Sequence, residues 1–301
     1  MQTIAALIFI LTVQVALGQE HRVAFKGLKY PLDMELKSVD DQYEGCTANM
    51  AHLVETEFLE KEISEDSTFA TVWKDGVRKA KAPEDNLTQN HSIAIYVYTS
   101  NRVYSDFNNA VRSDKQEYKD MTYGWYSLHF LLTDTIQILK KRQKKCQNTF
   151  RGAYVEYNKG VLNKEVRFGS FASSSLSQTV AKKFGDKSCF EIETCEGAEL
   201  TKYSVFPGEK EVLIPPYENF KVTDIKKGSW CDTVYVLKSS GRRSDLNCAV
   251  ASELCDLRVK NSVKRSDLIC PVGSVESQIH HRCQYFWLAS IYIFFHYFGF
   301  F

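Results

Sequence analysis

The feature that most constrains this chain is a change of hydrophobic period near Cys146. Before it, apolar residues recur at helical spacing, with one stripe formed by Phe69, Val72, Trp73 and Val77 and another by Leu128, Leu131, Leu132, Thr135 and Leu139. Tyr104, Phe107 and Val111 predict a further short helix, whereas Ile93-Ala94-Ile95-Tyr96-Val97-Tyr98 reads equally as a strand or a buried helix. After it come short β-prone runs separated by Gly, Pro and charged turns, at residues 150–157, 166–173, 190–194, 211–214, 220–225 and 233–237. Helices first and strands second lack the βαβ alternation of a doubly wound sheet, so the expected class is α+β.

The two ends are read as processing signals. Residues Ile4 to Leu17 are apolar except for Thr12 and Gln14 and close on Ala16-Leu17-Gly18, the small-residue pattern of a signal-peptide cleavage site. Residues 1–18 are therefore expected to be a secretory signal, the alternative being a buried N-terminal helix. At the other end an uncharged apolar tail, Phe286 to Phe301, follows a polar spacer and the small pair Gly273-Ser274. That order predicts that 271–301 is a glycosylphosphatidylinositol (GPI) attachment signal and is removed, with a short tail anchor as the alternative. Residues 19–270 remain as one domain with a disulfide-tied C-terminal tail.

Cysteine parity agrees with this processing. Of nine cysteines, Cys283 lies in the segment to be discarded, and the other eight contain no C-x-x-C. Disulfides in an oxidising compartment are expected and no metal is. The sequons Asn86-Leu87-Thr88 and Asn90-His91-Ser92 follow Pro83 in a polar stretch expected to be an exposed, glycosylated loop. With 38 Lys+Arg against 37 Asp+Glu, charge demands no nucleic acid or other polyanion. The basic run Lys140 to Lys145 is expected to be a solvated helix C-terminus.

The common catalytic loops are absent: there is no P-loop, G-x-G-x-x-G, H-E-x-x-H or G-x-S-x-G. Three subtler features remain. Glu209-Lys210-Glu211 enters the apolar run Val212-Leu213-Ile214, so an extended backbone would put both acids on one face and Lys210 on the other. Such a pair either stabilises developing positive charge and accepts a proton, or is solvated surface. Phe171-Ala172-Ser173-Ser174-Ser175 ends a β-prone run with hydroxyls that would orient a carboxylate or a sugar, or simply form a turn. Arg151 stands in an otherwise apolar strand and needs an anionic partner, either a protein carboxylate or a ligand phosphate.

Taken together, Arg151-Gly152, then Arg167-Phe168-Gly169-Ser170-Phe171-Ala172-Ser173-Ser174-Ser175, then Phe206-Pro207-Gly208-Glu209-Lys210-Glu211-Val212-Leu213-Ile214-Pro215-Pro216 resemble, in order and spacing, the R, S-x-S and E-x-E motifs of vertebrate cell-surface mono-ADP-ribosyltransferases. Asp106-Phe107-Asn108-Asn109-Ala110-Val111-Arg112 and the processed ends extend the resemblance over roughly Leu28 to Cys248. It implies the toxin-like ADP-ribosyltransferase fold, a helical part packed on two β-sheets whose cleft holds NAD.

It also implies an arginine-specific transferase that uses NAD as substrate, needs no metal, and modifies exposed arginines of proteins at the outer face of the plasma membrane. Arg151 would pair with the NAD phosphates, Gly152 and Ser175 would contact the dinucleotide, and Ser173 would orient Glu211. Glu211 would hold the nicotinamide ribose and stabilise the oxocarbenium-like transition state, while Glu209 would position and deprotonate the acceptor guanidinium. The pairings Cys46–Cys248 and Cys146–Cys195 come from the resemblance alone. Cys189 with Cys231, on adjacent strands, and Cys255 with Cys270 are the remaining expectation. The alternatives are an NAD glycohydrolase of the same fold and a non-catalytic GPI-anchored recognition protein.

Overall fold

The computed structural model describes residues 29–254. The 1–18 and 271–301 signals, Cys283 and the expected Cys255–Cys270 bridge lie outside these residues. Strand β1 (Lys29–Tyr30) precedes a run of helices: α1 (Thr47–Leu53), α2 (Leu59–Glu65), α3 (Ser67–Lys79), α4 (Gln89–Thr99), α5 (Tyr104–Ser113), α6 (Lys115–Lys119) and α7 (Tyr126–Gln143). A π-helical turn, Val54–Phe58, joins α1 to α2 and left no mark in the apolar spacing. The strands follow: β2 (Gln147–Ala153), β3 (Glu156–Tyr157), β4 (Glu165–Val166) and β5 (Ala172–Ser175), then the short helix α8 (Gln178–Ala181). The chain continues through β6 (Ser188–Thr194), β7 (Ala198–Glu199), β8 (Glu211–Ile214), β9 (Glu218–Lys227) and β10 (Thr233–Arg242). The order is α+β, as the change of period predicts.

Local chemistry explains the helices that frame the site. Helix α3 starts where Asp66 accepts from the backbone N–H groups of Thr68 and Phe69. It buries Phe69, Val72 and Trp73 as expected, but Val77 is 58% exposed and Gly76 faces inward instead. A Cβ on Gly76 would lie 2.8 Å from Cγ2 of Ile93, so the close approach of α4 selects the glycine face. The undecided run Ile93 to Tyr98 is helical: α4 buries Ile93, Ala94, Ile95, Val97 and Tyr98, and a helix covered on nearly all sides has no stripe to read. Its N-cap is Thr88, whose hydroxyl accepts from the His91 N–H. The second sequon is therefore the first turn of α4 and not an exposed loop, with Ser92 fully buried, while Asn86 is exposed in the preceding turn. Helix α7 ends in Lys140, Lys141 and Arg142, cations at the negative pole of the helix, as expected.

Eight strands form one sheet in the order β4-β9-β10-β6-β2-β5-β8-β7, with β1 and β3 paired apart from it. The expected two-sheet core takes a specific form here. The halves β4-β9-β10-β6-β2 and β5-β8-β7 are joined through one register pair, Phe150 with Ser175. Side chains alternate across β8, so Leu213 packs into the helical core while Ile214 packs with Phe190, Phe220 and Tyr235 on the opposite face.

A polar clasp closes the molecule. Arg167 is 1% exposed, pairs with Asp40 at 2.8 Å and donates to the backbone carbonyls of Met34, Glu35 and Arg243. Asp40 accepts from the N–H groups of Asp245 and Leu246, and Asp41 from those of Tyr43 and Cys248. Beside it lies the Cys46–Cys248 disulfide, with Cys146–Cys195 and Cys189–Cys231 as the other two among the described residues. Cys189 is on β6, but Cys231 sits in the turn before β10 and not on the strand as expected. All three pairings match the expectation, and Cys189–Cys231 bridges neighbours because Val234 is in register with Cys189.

Candidate active site

The splay of β2 from β5 beyond their single pair opens a cleft of about 630 Å³. Helices α4 and α5 supply one wall through Tyr98 and Tyr104; β2 and the residues after it, the end of β5, the α8 segment and the turn before β8 supply the rest. Arg151, Gly152, Ser173, Ser175, Glu209 and Glu211 all line it. Residues dispersed over more than half of the β region thus meet in one space.

Arg151 reaches across the splay: its Nη1 donates to the carbonyl of Ser173 at 2.5 Å, and its guanidinium lies 6.0 Å from the centre of the Phe168 ring. Burial works against its charge, but the phenols of Tyr104, Tyr157 and Tyr98 outweigh that and push its pKa up. Its hydrogen-bond partners are the Ser173 carbonyl and the Tyr104 side chain, and no carboxylate forms an ion pair with it among the described residues. Gly152 is buried in β2 because nothing larger fits: a Cβ there would lie 2.4 Å from the carbonyls of Ala181 and Gly185. This close approach sets the α8 segment and Phe184 at the cleft.

Glu211 opens β8 opposite Ser175 and is 6% exposed. Burial raises its pKa to about 7; the hydroxyl of Ser173 and the charge of Arg151 oppose the rise, and Glu209 adds to it. The expectation of an extended E-x-E is corrected here. Pro207–Glu209 is a 3-10 turn and Lys210 is left-handed at φ 48°, so the alternation of a strand begins only at Glu211. The turn nevertheless turns both acids into the cleft and leaves Lys210 exposed. Glu209 is half-buried, and burial raises its pKa.

The hydroxyl of Ser175 is committed to this turn: it donates to the Glu209 carbonyl at 2.7 Å and accepts from Ser177 N–H at 3.0 Å. Leu176 N–H donates to the Lys210 carbonyl at 3.1 Å, a second tie between the end of β5 and the turn. Upstream, Val205 N–H donates to Thr99 Oγ1, and Asp85 accepts from Tyr203, Lys202 and Arg142. The segment that carries Glu209 is therefore held at both ends.

Sequence reasoning missed the aromatic wall. Tyr98 lay in the run left undecided between strand and helix, and Tyr104 was read only as a helix marker. Asn108, which donates to the Tyr98 hydroxyl at 3.3 Å, lies within the Asp106 to Arg112 motif, so a signal for it was present. Among the described residues no group of three or more His, Cys, Asp or Glu side chains is placed to hold a metal ion, and no helix is long and apolar enough to cross a membrane.

A helical part packed on a mixed sheet that splits at a single register pair defines an ADP-ribosyltransferase fold. The chain belongs to the NAD:arginine ADP-ribosyltransferase family, whose model matches residues 32–245. It is 34% identical over 262 residues to the GPI-linked NAD(P)(+)--arginine ADP-ribosyltransferase 1 of Oryctolagus cuniculus, covering 79% of this chain and 80% of that one. It is 37% identical over 232 residues to the erythroblast NAD(P)(+)--arginine ADP-ribosyltransferase of Gallus gallus, covering 74% and 76%. Its fold matches the eucaryotic mono-ADP-ribosyltransferase ART2.2, solved as a mutant in complex with NADH, with a TM-score of 0.62 and 27% identity over 72% of this chain and 98% of that one.

Proposed function

We propose that this protein transfers ADP-ribose from NAD to arginine side chains of proteins and releases nicotinamide. The observation that carries the reading is the meeting of Glu211, Ser173, Arg151 and Glu209 in one cleft. In this reading Arg151 takes the NAD phosphates on its guanidinium, a planar fork suited to bidentate contact. The bond from nicotinamide nitrogen to ribose C1′ breaks with its electron pair leaving on nicotinamide, and positive charge develops on the ribose. Ionised Glu211, oriented by Ser173, stabilises that charge from a site where water does not screen it. A guanidinium nitrogen attacks C1′ and its proton passes to Glu209, whose half-buried carboxylate is the stronger base for its raised pKa.

Gly152 and Ser175 act mainly through the backbone they place: Gly152 admits the α8 segment, and Ser175 fixes the Glu209 turn. We further propose display at the outer cell surface on a GPI anchor, with protein arginines as acceptors and glycans on Asn86 and Asn90, Asn86 being the better exposed. Three disulfides fit that compartment, and relatives carry the description GPI-linked.

Incubation with labelled NAD and agmatine tests the activity. Formation of ADP-ribosyl-agmatine is expected. Release of free ADP-ribose alone would reassign the chain to NAD hydrolysis, and no turnover would leave it a recognition protein.

A further inference from the structure

The wall of the cleft holds a group that the mechanism above leaves unused. Tyr98 is 1% exposed, its ring packed by Tyr104, Phe107 and Phe171. Its hydroxyl meets three partners: the Phe171 carbonyl at 3.2 Å, Ser173 Oγ at 3.3 Å and Asn108 Nδ2 at 3.3 Å. Asn108 can only donate through that nitrogen, so the phenol accepts from it and has one proton to give, to Phe171 or to Ser173. Ser173 also has one proton, and its hydroxyl is hydrogen-bonded to Glu211.

These counts allow one complete chain for each charge state of Glu211. An ionised Glu211 is acceptor-only, so Ser173 must donate to it, and the Ser173 oxygen is then free to accept from Tyr98. A protonated Glu211 has a proton to donate to Ser173, which lets Ser173 donate to Tyr98 and sends the Tyr98 proton to the Phe171 carbonyl. Both arrangements leave each donor paired.

We propose that Tyr98 is a positioning residue whose single hydroxyl proton follows the charge of Glu211, completing a donor chain from Asn108 through Tyr98 and Ser173 when Glu211 is ionised and turning to Phe171 when it is not. The proposal rests on the role given to Glu211 above. Hydrogen bonds to an ionised acceptor are the stronger ones, so the chain favours the carboxylate form. Arg151 also favours that form, whereas burial and Glu209 oppose it. Tyr104 and Tyr157 face Arg151 and favour its charge.

Tyr98→Phe removes the hydroxyl and keeps the ring. In the full chain with 13C-labelled glutamate, the Glu211 carboxyl resonance, assigned by its loss in Glu211→Gln, is expected to titrate about one pH unit higher in Tyr98→Phe, a tenfold change in the ionisation constant. The acidic limb of the kcat profile moves with it, the KM for NAD stays unchanged, and the loss of turnover shrinks as pH rises. Because the chain acts in series, Tyr98→Phe added to Ser173→Ala moves the Glu211 midpoint no further. An unmoved midpoint in Tyr98→Phe, or additive shifts in the double variant, overturns the proposal. Should Tyr98→Phe fail to fold, Asn108→Leu cuts the chain one link earlier: a smaller upward shift supports the proposal and an unmoved midpoint overturns it. Full turnover by Glu211→Gln would remove the catalytic reading, and the resonance titration would still decide the part of Tyr98.

Discussion

Glu211 and Glu209 are two residues apart, yet their surroundings give them different work. Glu211 is nearly fully buried, backed by Ser173, and its pKa is raised to about 7 by that burial. The proposed mechanism uses its charged form, so kcat/KM for NAD is expected to rise with pH through about 7, and a pH–rate profile of the purified enzyme checks the limb. Glu211→Gln keeps the shape and removes the charge; transfer and NAD hydrolysis should both fall by about a hundredfold or more, since each factor of ten is about 1.4 kcal/mol of barrier. Glu209 is half-buried at the rim, and Glu209→Gln should abolish arginine transfer while sparing hydrolysis, because it meets the acceptor and not the leaving group. Product analysis by chromatography separates the two, and equal loss of both would show the roles wrongly divided. Arg151→Lys keeps a charge but loses the planar fork, and a KM for NAD raised about tenfold is the expected outcome in steady-state kinetics.

Elements act here by bringing backbone into unusually close contact. The α8 segment lies so near β2 that Gly152→Ala would force the Ala181 and Gly185 carbonyls apart. Loss of NAD binding before loss of the helical core is expected, measurable by ligand titration beside circular dichroism. Helix α7 begins against a buried acid: Ser127 N–H reaches both oxygens of Glu62, each at 3.2 Å. Burial pushes the Glu62 pKa up to about 8. A carboxyl raised above its unfolded value binds more protons folded than unfolded, so its contribution to stability is full below about pH 4.5 and is lost as pH climbs through about 8. Glu62→Gln retains an acceptor for Ser127 and should flatten that decline, leaving the variant more stable than the parent above pH 8 in chemical unfolding. A steeper decline in the variant would place the effect elsewhere.

At the scale of the whole molecule, bonds join the early part of the described residues to the late part of them. Cys46–Cys248 spans 202 residues, and in the chain-entropy model such a loop contributes about 5 kcal/mol. Arg167 and Asp40 add an ion pair removed from water, for which loss of one partner costs about 3–5 kcal/mol. Arg167→Leu and a Cys46→Ser, Cys248→Ser pair should therefore each lower the denaturant midpoint markedly, the cysteine pair by at least as much. A combined variant no less stable than the cysteine pair alone would mean that the clasp and the disulfide act as one unit.

The motif residues, the order of helices and strands and the solvated end of α7 were legible in the sequence because each is local: a period, a cap or a spacing of a few residues. The same locality explains the errors. Val77 was assigned to a buried stripe that the close approach of α4 rotates onto Gly76, and Glu209 to a strand that the left-handed Lys210 delays. Arg167 stood in a quoted motif with no sign that it would be the most deeply buried cation of the fold, because its partners are more than 70 residues away in either direction. Sequence by itself determined which groups are proposed to carry the chemistry: an arginine, a serine and two acids of fixed types. Only the tertiary structure decided that β2 and β5 part after a single pair, that Tyr98 stands behind Ser173, and that Glu211 is buried enough to titrate near neutrality. The reason is physical: register and burial are sums over non-local contacts, and no window of the sequence contains both partners.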